Sequence, residues 1–361
     1  MSMSHPSPLP SPTPSPVKAI ALYSGGLDST LAIITAMRQG IEVTAITFLT
    51  HFGCDISDKS SCSKDPFSAA EKFGFEVKLC HLADKFMDIV KNPKFGHGKN
   101  MNPCLDCRIL MLKEAKALME MRGASFIITG EVIGQRPMSQ RRDTFPRIDR
   151  EAGLEGLILR PLSAKLLKPT IPEQQGLVDR ERLHDFYGRS RKPQMALAAE
   201  FGLTDYPAPA GGCLLTDPIY AYRLRELLEH NPNPSLTEIH LLRLGRHFRL
   251  SPDCTVIVGR DQRENEGIVA LKEEGDCLLR AEGHASPMTL IKGKVTDEAI
   301  RTAASFCARY SDGRTLPSVT VSYIRAKEKE LITVAPAEEA MLEPLRIQMP
   351  EKKSRRRPSA A

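Results

Sequence analysis

The 361-residue sequence has no apolar run long enough to span a membrane. It shows no charged segment followed by an apolar stretch near its start, so a secretory leader is not expected. Its nine cysteines lack the dense, regular spacing of a disulfide frame. These absences set the expectation of a cytoplasmic protein without a membrane partner, some of whose thiols serve metal or sulfur chemistry. A large excess of one charge is also missing, since the formal net charge is +6 and the isoelectric point is near 8.8. That mild basicity permits a nucleic-acid partner without requiring one. At 41% hydrophobic residues the chain can fill two cores.

What is present is organised around Tyr23-Ser24-Gly25-Gly26-Leu27-Asp28-Ser29. An apolar run from Val17 to Tyr23 leads into it, and Leu31, Ile34 and Met37 follow at helical spacing. The layout predicts strand, glycine turn, helix. Gly25 and Gly26 let the backbone turn sharply and leave room beside the amides. Those amides, the Ser24 and Ser29 hydroxyls and the helix N-terminus would converge on one anion. No Gly-Lys-Ser/Thr follows, which excludes a Walker A loop. By itself the stretch could also be an ordinary glycine turn capping a helix. It resembles the SGGxDS pyrophosphate loop of the PP-loop ATP pyrophosphatases. The resemblance implies an enzyme that splits ATP between the α and β phosphates and adenylates a carbonyl oxygen. Ser24, Gly25, Gly26, Asp28 and Ser29 would then hold the β,γ-phosphates, with Mg²⁺ screening their charge.

Strands and helices alternate from Val17. Val43–Leu49, Val77–Leu82, Phe126–Thr129 and Leu157–Leu162 read as further strands. Asp65–Phe73, ended by Gly74, and Leu105–Arg122, ended by Gly123, read as helices. Alternation of this kind predicts an α/β domain with a doubly wound parallel sheet, with ligands at the carboxyl ends of the strands. Leu177–Phe201 reads as a basic helix; its Arg180, Arg182, Arg189, Arg191 and Lys192, with Arg141, Arg142 and Arg147, form either a solvated face or a contact for RNA phosphates.

At the end of the fourth strand stands Thr129-Gly130-Glu131-Val132-Ile133-Gly134-Gln135, followed by Ser139-Gln140. This resembles the TGE-x-x-GQ-x-x-SQ segment of tRNA 4-thiouridine synthases, with Arg136-Pro137-Met138 as a departure inside the motif. The resemblance implies that Gly130, Glu131 and Gln135 lie beside the nucleotide.

The Ser/Pro arm of residues 1–16 and the basic tail of residues 341–361 are expected to be disordered. The catalytic domain is expected over 17–222, a linker over 223–236 around Asn231-Pro232-Asn233-Pro234, and a smaller α+β domain over 237–340. In the latter, Thr237–Arg249 reads as a basic helix and Thr296–Arg309 as another helix. Thr255–Val258, Cys277–Ala281, Met288–Ile291, Val319–Ile324 and Leu331–Val334 read as strands. Gly259-Arg260-Asp261-Gln262-Arg263-Glu264-Asn265 resembles the GRN-x-x-EN signature of NFACT-type RNA-binding domains. Independently of that, Arg243, Arg246, Arg249, Arg260 and Arg263 make a basic surface suited to phosphates.

Asn102-Pro103-Cys104-Leu105-Asp106-Cys107 puts two thiols on one face of a helix start, where the helix N-terminus favours thiolate. A single CxxC leaves zinc, redox and iron–sulfur roles open. Cys213, after Pro209-Ala210-Gly211-Gly212, offers a third thiol. Cys54 and Cys62, with His51, are a weaker metal candidate, while Cys80, Cys254, Cys277 and Cys307 belong to apolar segments. A pyrophosphate loop, a CxxC and one distant cysteine together resemble the cluster-dependent tRNA thiolases, and the NPC-x-x-C segment resembles part of the 2-thiouridylase pattern. The resemblance implies a [4Fe–4S] cluster on Cys104, Cys107 and Cys213 with one iron open to sulfide. A persulfide on one of the same cysteines is the alternative. The expected function is an ATP-dependent tRNA sulfurtransferase, with Asp28, Cys104 and Cys213 catalytic and a sulfide source or cysteine desulfurase as sulfur donor. A PP-loop synthetase acting on a small molecule, and a non-catalytic RNA- or ribosome-binding nucleotide sensor, are the rival readings. The oligomeric state is open.

Overall fold

In the computed structural model, residues 16–52, 66–208, 213–325 and 328–349 are described. Cys54, Cys62, Gly211, Gly212, residues 1–15 and residues 350–361 lie outside the described residues. The chain forms two compact units, one of residues up to 98 with 102–212, the other of residues 99–101 with 213 onward. The first unit holds strands β1 (Lys18–Leu22), β2 (Glu42–Leu49), β3 (Glu76–His81), β4 (Phe126–Thr129) and β5 (Ile158–Leu159). Its helices are α1 (Leu27–Met37), α2 (Pro66–Phe73), α3 (Ala83–Lys91), α4 (Cys104–Arg122), α5 (Phe145–Glu151), α6 (Ile171–Gln174) and α7 (Lys192–Glu200).

The five strands pair in parallel in the order β3-β2-β1-β4-β5. Side chains alternate across a strand, so β1 feeds both faces of the sheet. Ala19 and Ala21 pack with Leu31, Ile34 and Leu197 from α1 and α7; Ile20 and Leu22 pack with Ile109, Leu112 and Ile148 from α4 and α5. Cover on both sides explains why β1 is apolar without interruption from Ala19 to Leu22, after the exposed Lys18. The strand order reverses between β1 and β4, which is where a doubly wound sheet opens its ligand crevice.

The expected helix over Leu177–Phe201 is a short 3₁₀ turn at Arg180–Arg182, an irregular segment, and α7. Gly188 takes a left-handed φ of 85° and Tyr187 pairs with Ile133, so the chain cannot stay helical there. Pro193 then stands in the first turn of α7, where its missing N–H costs no helical bond.

The second unit holds α8 (Pro218–His230), α9 (Leu236–Leu241), β6 (Arg246–Ser251), β7 (Cys254–Val258), α10 (Gln262–Ala270), β8 (Cys277–Ala281), β9 (Thr289–Gly293), α11 (Asp297–Arg309), β10 (Val319–Arg325), β11 (Glu328–Val334) and α12 (Glu339–Leu342). Its antiparallel sheet runs β11-β10-β8-β9-β7-β6, and the apolar face of α11 (Ile300, Ala303, Ala304, Cys307) closes over it. Three expectations change here. Residues 341–349, expected within a disordered tail, complete α12 and a 3₁₀ turn, with Leu342 buried in the core and Arg346 bridged to Phe248. The helix expected over Thr237–Arg249 stops at Leu241, and Arg246 opens a strand paired with Val258. Gly245 makes that change of direction at φ 64°, where a Cβ would lie 2.6 Å from the Val258 carbonyl. The stretch expected as a 223–236 linker is largely α8, capped by Asp217 accepting the Tyr220 N–H at 2.7 Å, and the units divide earlier, after residue 212. No helix among the described residues is long and apolar enough to cross a membrane.

Candidate nucleotide site and RNA surface

The turn after β1 closes on itself. Gly25 adopts φ 69°, and Gly26 caps α1 in an extended conformation without offering a side-chain acceptor. The first amides of α1 therefore receive no side-chain cap, and the positive end of an 11-residue helix faces the crevice. The Ser24 N–H donates to Ser29 Oγ at 3.3 Å, and Ser29 Oγ donates to the Gly26 carbonyl at 3.0 Å. The two serine hydroxyls lie 3.2 Å apart, and Ser24 is exposed.

The loop after β4 locks against this turn. Gln135 Nε2 donates to Asp28 Oδ2 at 2.9 Å, while Asp28 Oδ1 is buried with no hydrogen-bond partner. An added Cβ on Gly130 would lie 2.5 Å from the Ser29 nitrogen and 2.7 Å from the Asp28 carbonyl carbon, so β4 and α1 meet backbone to backbone. Glu131, expected beside the nucleotide, is instead 1% exposed beneath the loop. Its Oε2 accepts from Arg160 Nε at 3.0 Å and Thr129 Oγ1 at 3.0 Å, and its Oε1 lies 3.0 Å from Arg108 Nε. Arg160 also bridges to Asp149 at 2.7 and 3.0 Å. Burial pushes the Glu131 carboxyl up, but Arg108 and Arg160 outweigh it and hold it below the usual carboxylate range. Asp149 goes the other way, raised by burial despite Arg160.

Cys104 opens α4, and Cys107 follows one turn later with its N–H donating to the Pro103 carbonyl at 2.8 Å. Asp106 between them accepts the Lys94 and Phe95 N–H groups at 3.0 and 3.2 Å and fixes the helix start. Burial raises the Cys104 thiol, with Arg136 and Arg108 pulling it back down. Cys213 belongs to the second unit, at the entry to a 3₁₀ turn, where its carbonyl accepts from Thr216 Oγ1 at 2.6 Å. Among the described residues no group of three or more His, Cys, Asp and Glu side chains is placed to hold a metal ion. Cys254, Cys277 and Cys307 are buried in the second core, and Cys80 packs at the edge of the first.

In the second unit the Gly259–Asn265 stretch builds a corner. Asp261 caps α10 by accepting the Glu264 N–H at 2.9 Å; Glu264 accepts the Arg260 N–H at 2.9 Å and also pairs with the Arg260 guanidinium. Asn265 Oδ1 accepts the Met288 N–H at 2.9 Å, and it passes so close to Gly259 that a Cβ there would stand 2.1 Å away. Arg260 and Arg263 remain exposed. Arg243 and Arg246 are half-buried: Arg246 lies over the Tyr310 ring at 4.4 Å, and Arg243 bonds the Tyr220 hydroxyl. Arg249 makes a bidentate pair with Glu226 at 2.6 and 2.8 Å. The expected basic surface thus divides into outward arginines and arginines that hold the domain together.

Arg108, Arg160 and Asp149 were not singled out from the sequence. The signals were there, in an arginine directly after the CxxC and a charge inside the apolar Leu157–Leu162 run.

A five-stranded parallel sheet with a Ser-Gly-Gly turn at its switch point defines the first unit as a PP-loop α/β domain. Residues 15–168 match the family model described as thiamine biosynthesis protein (ThiI), and residues 245–345 match that of the NFACT protein RNA binding domain. The chain therefore carries a ThiI-type PP-loop domain followed by an NFACT-type RNA-binding domain. It is 26% identical over 244 residues to a tRNA-specific 2-thiouridylase MnmA of Xanthobacter autotrophicus, covering 64% of this chain and 59% of the relative. It is 31% identical over 163 residues to a probable tRNA sulfurtransferase of Lysinibacillus sphaericus, covering 44% and 38%. Among solved structures, a 4-thiouridine synthetase–RNA complex with bound ATP aligns at 18% identity and a TM-score of 0.34, covering 52% of each chain. The chain thus spans about three fifths and two fifths of the length of these two relatives.

Proposed function

We propose that the protein is an ATP-dependent tRNA sulfurtransferase that replaces a uridine carbonyl oxygen with sulfur. The observation that carries this reading is the uncapped start of α1, ringed by Ser24, Ser29, Gln135 and the orphaned Asp28 Oδ1, within a stretch that matches the ThiI family model in a chain similar to tRNA 2-thiouridylases and tRNA sulfurtransferases. The α1 amides and the exposed Ser24 hydroxyl would donate to the β,γ-phosphates of ATP, with Ser29 Oγ bracing the turn through the Gly26 carbonyl, and Asp28 Oδ1 would face Mg²⁺. The uridine carbonyl oxygen then attacks the α-phosphorus and pyrophosphate leaves. Sulfur adds to the same carbon, the carbon–oxygen bond breaks, and AMP departs with the oxygen. Gln135 would hold the Asp28 carboxylate in place throughout, and the Glu131–Arg160–Asp149 network supports the loop from below.

Cys104, Cys107 and Cys213 would manage the sulfur. Three thiolates form a donor set suited to a soft metal. Residues 209–212, which join Cys213 to the first unit, lie outside the described residues. A [4Fe–4S] cluster held by them would supply an iron open to sulfide from an external donor. The second unit would supply tRNA affinity, with Arg260 and Arg263 facing phosphates.

The test is anaerobic purification of wild type and of Cys104→Ala, Cys107→Ala and Cys213→Ala, with iron, acid-labile sulfide and thiolated nucleosides measured. The cluster route requires each variant to lose iron and thiolation while ATP binding persists. Zinc or no metal in a thiolating wild type that still needs the cysteines replaces the cluster by a persulfide. ATP-to-AMP turnover without thiolated nucleoside in any tRNA overturns the sulfurtransferase reading.

A further inference from the structure

Tyr187 is 69% exposed, yet its backbone is held from both sides. Tyr187 pairs with Ile133, the Gly188 N–H donates to the Ile133 carbonyl at 2.7 Å, and the Phe186 N–H donates to the Leu162 carbonyl at 2.7 Å. Ser163 Oγ completes the brace by accepting the Ile133 N–H at 3.1 Å and donating to the Phe186 carbonyl at 2.6 Å. A large ring kept in water on a fixed stretch of chain is unlike a solvent-facing side chain on a loose loop, and burial in this core is not its role.

Its location narrows the role. Ile133 stands two residues before Gln135, which bonds Asp28 of the phosphate turn. Gly134, at a left-handed φ of 79°, lies against one edge of the ring, and a Cβ there would approach Tyr187 Cε2 to 3.4 Å. The ring therefore stands at the rim of the crevice above β4. The exposed arginines adjoining these two segments in the chain are Arg136 and Arg142 on one and Arg189 on the other. Among the described residues Arg142 and Arg189 make no ion pair with a carboxylate, whereas Arg141 spends its charge on Asp143 at 3.0 Å.

A fixed exposed ring, followed two residues later in the chain by an exposed arginine without an ion pair, fits an unstacked nucleobase with its adjoining phosphate. A small nucleotide would be enclosed over most of its surface, and an open ring offers no such enclosure. We infer that Tyr187 is a stacking platform for an unpaired RNA base at the crevice rim, with Arg189 contacting the adjoining phosphate. This rests on the reading that the chain acts on RNA.

The test uses the full chain, Tyr187→Ala and Tyr187→Phe. The probe is an oligouridylate carrying one 2-aminopurine, whose fluorescence is quenched on stacking, and ATP affinity is measured separately by calorimetry. Wild type and Tyr187→Phe should quench the probe. Tyr187→Ala should lose the quenching and bind the probe about fivefold to a hundredfold more weakly, with ATP affinity and melting curve unchanged. Quenching by Tyr187→Ala equal to wild type overturns the assignment, as does a wild type that never quenches. Weakened ATP affinity with RNA stacking intact overturns it in favour of the adenine of ATP. No thiolation is read, so a protein that stacks RNA but never thiolates it refutes the sulfurtransferase reading and leaves this one standing.

Discussion

Gln135 and Asp28, 107 residues apart in the chain, meet at 2.9 Å and join the loop after β4 to the first turn of α1. The bond uses only one carboxylate oxygen and leaves the other buried without a partner. A buried acceptor in that condition costs free energy until a cation or donor arrives, and this is why Asp28 is proposed to face a ligand.

Asp28→Asn should lower AMP and pyrophosphate formation by about two orders of magnitude while leaving the melting curve unchanged. Product formation with labelled ATP, beside a thermal melt, checks both halves. Unchanged turnover would remove Asp28 from the site.

Gly130→Ala inserts a methyl 2.5 Å from the Ser29 nitrogen, a distance no side-chain rotation can relieve. The expected outcome is a loss of about 1–3 kcal/mol in stability together with weakened ATP binding. Denaturant unfolding and calorimetry measure the two effects, and a normal ATP affinity would mean that β4 and α1 can part without harm.

Glu131→Ala takes one of two carboxylates from the buried Arg160 and removes the partner of Arg108. Removing one member of a buried pair costs about 3–5 kcal/mol. Replacing Glu131 and Arg160 together by Leu and Met should not restore stability, because Asp149 and Arg108 then lose the partners they have in this network. Denaturant midpoints of the single and double variants decide it.

His247 is buried, and burial, with Arg223 and Arg249 nearby, lowers its pKa to about 3. Its Nε2–H donates to the Leu244 carbonyl at 2.8 Å. A histidine in the unfolded chain titrates near 6.5, so below that pH the unfolded chain binds a proton that the folded one refuses. Stability should therefore fall from about pH 6.5 downward, by about 1.4 kcal/mol per pH unit, until the folded histidine also protonates. The slope should be shallower in His247→Gln. Unfolding midpoints between pH 7 and 5 measure it.

Arg263→Gln should weaken tRNA binding by a similar factor for all sequences and reduce the salt slope of log affinity by about one. Titrations of the full chain at several salt concentrations give that slope directly, and an unchanged slope would take Arg263 off the phosphate surface.

The first unit was legible where chemistry and pattern coincide. β1 announced itself because cover on both faces demands apolar residues from Ala19 through Leu22, and the turn after it because serine and glycine at that spacing have a specific use. The stretch Leu177–Phe201 misled because Val178, Leu183, Leu197 and Phe201 are all buried, though they reach the core from separate short segments. Gly188 and Pro193 were the local signs of interruption. Thr237–Arg249 misled for the same reason, with Gly245 as the sign. The place of Glu131 was not legible, since its partner Arg160 lies 29 residues away and only the closed sheet brings them together.

Gly130 has a further consequence. With no side chain between them, the end of one strand and the start of one helix share a single surface, as two halves of a cast mould do. If the turn holds phosphate as proposed, its backbone is already set before any nucleotide enters, and binding need not order the loop first. Any change in one half must then be matched by a change in the other.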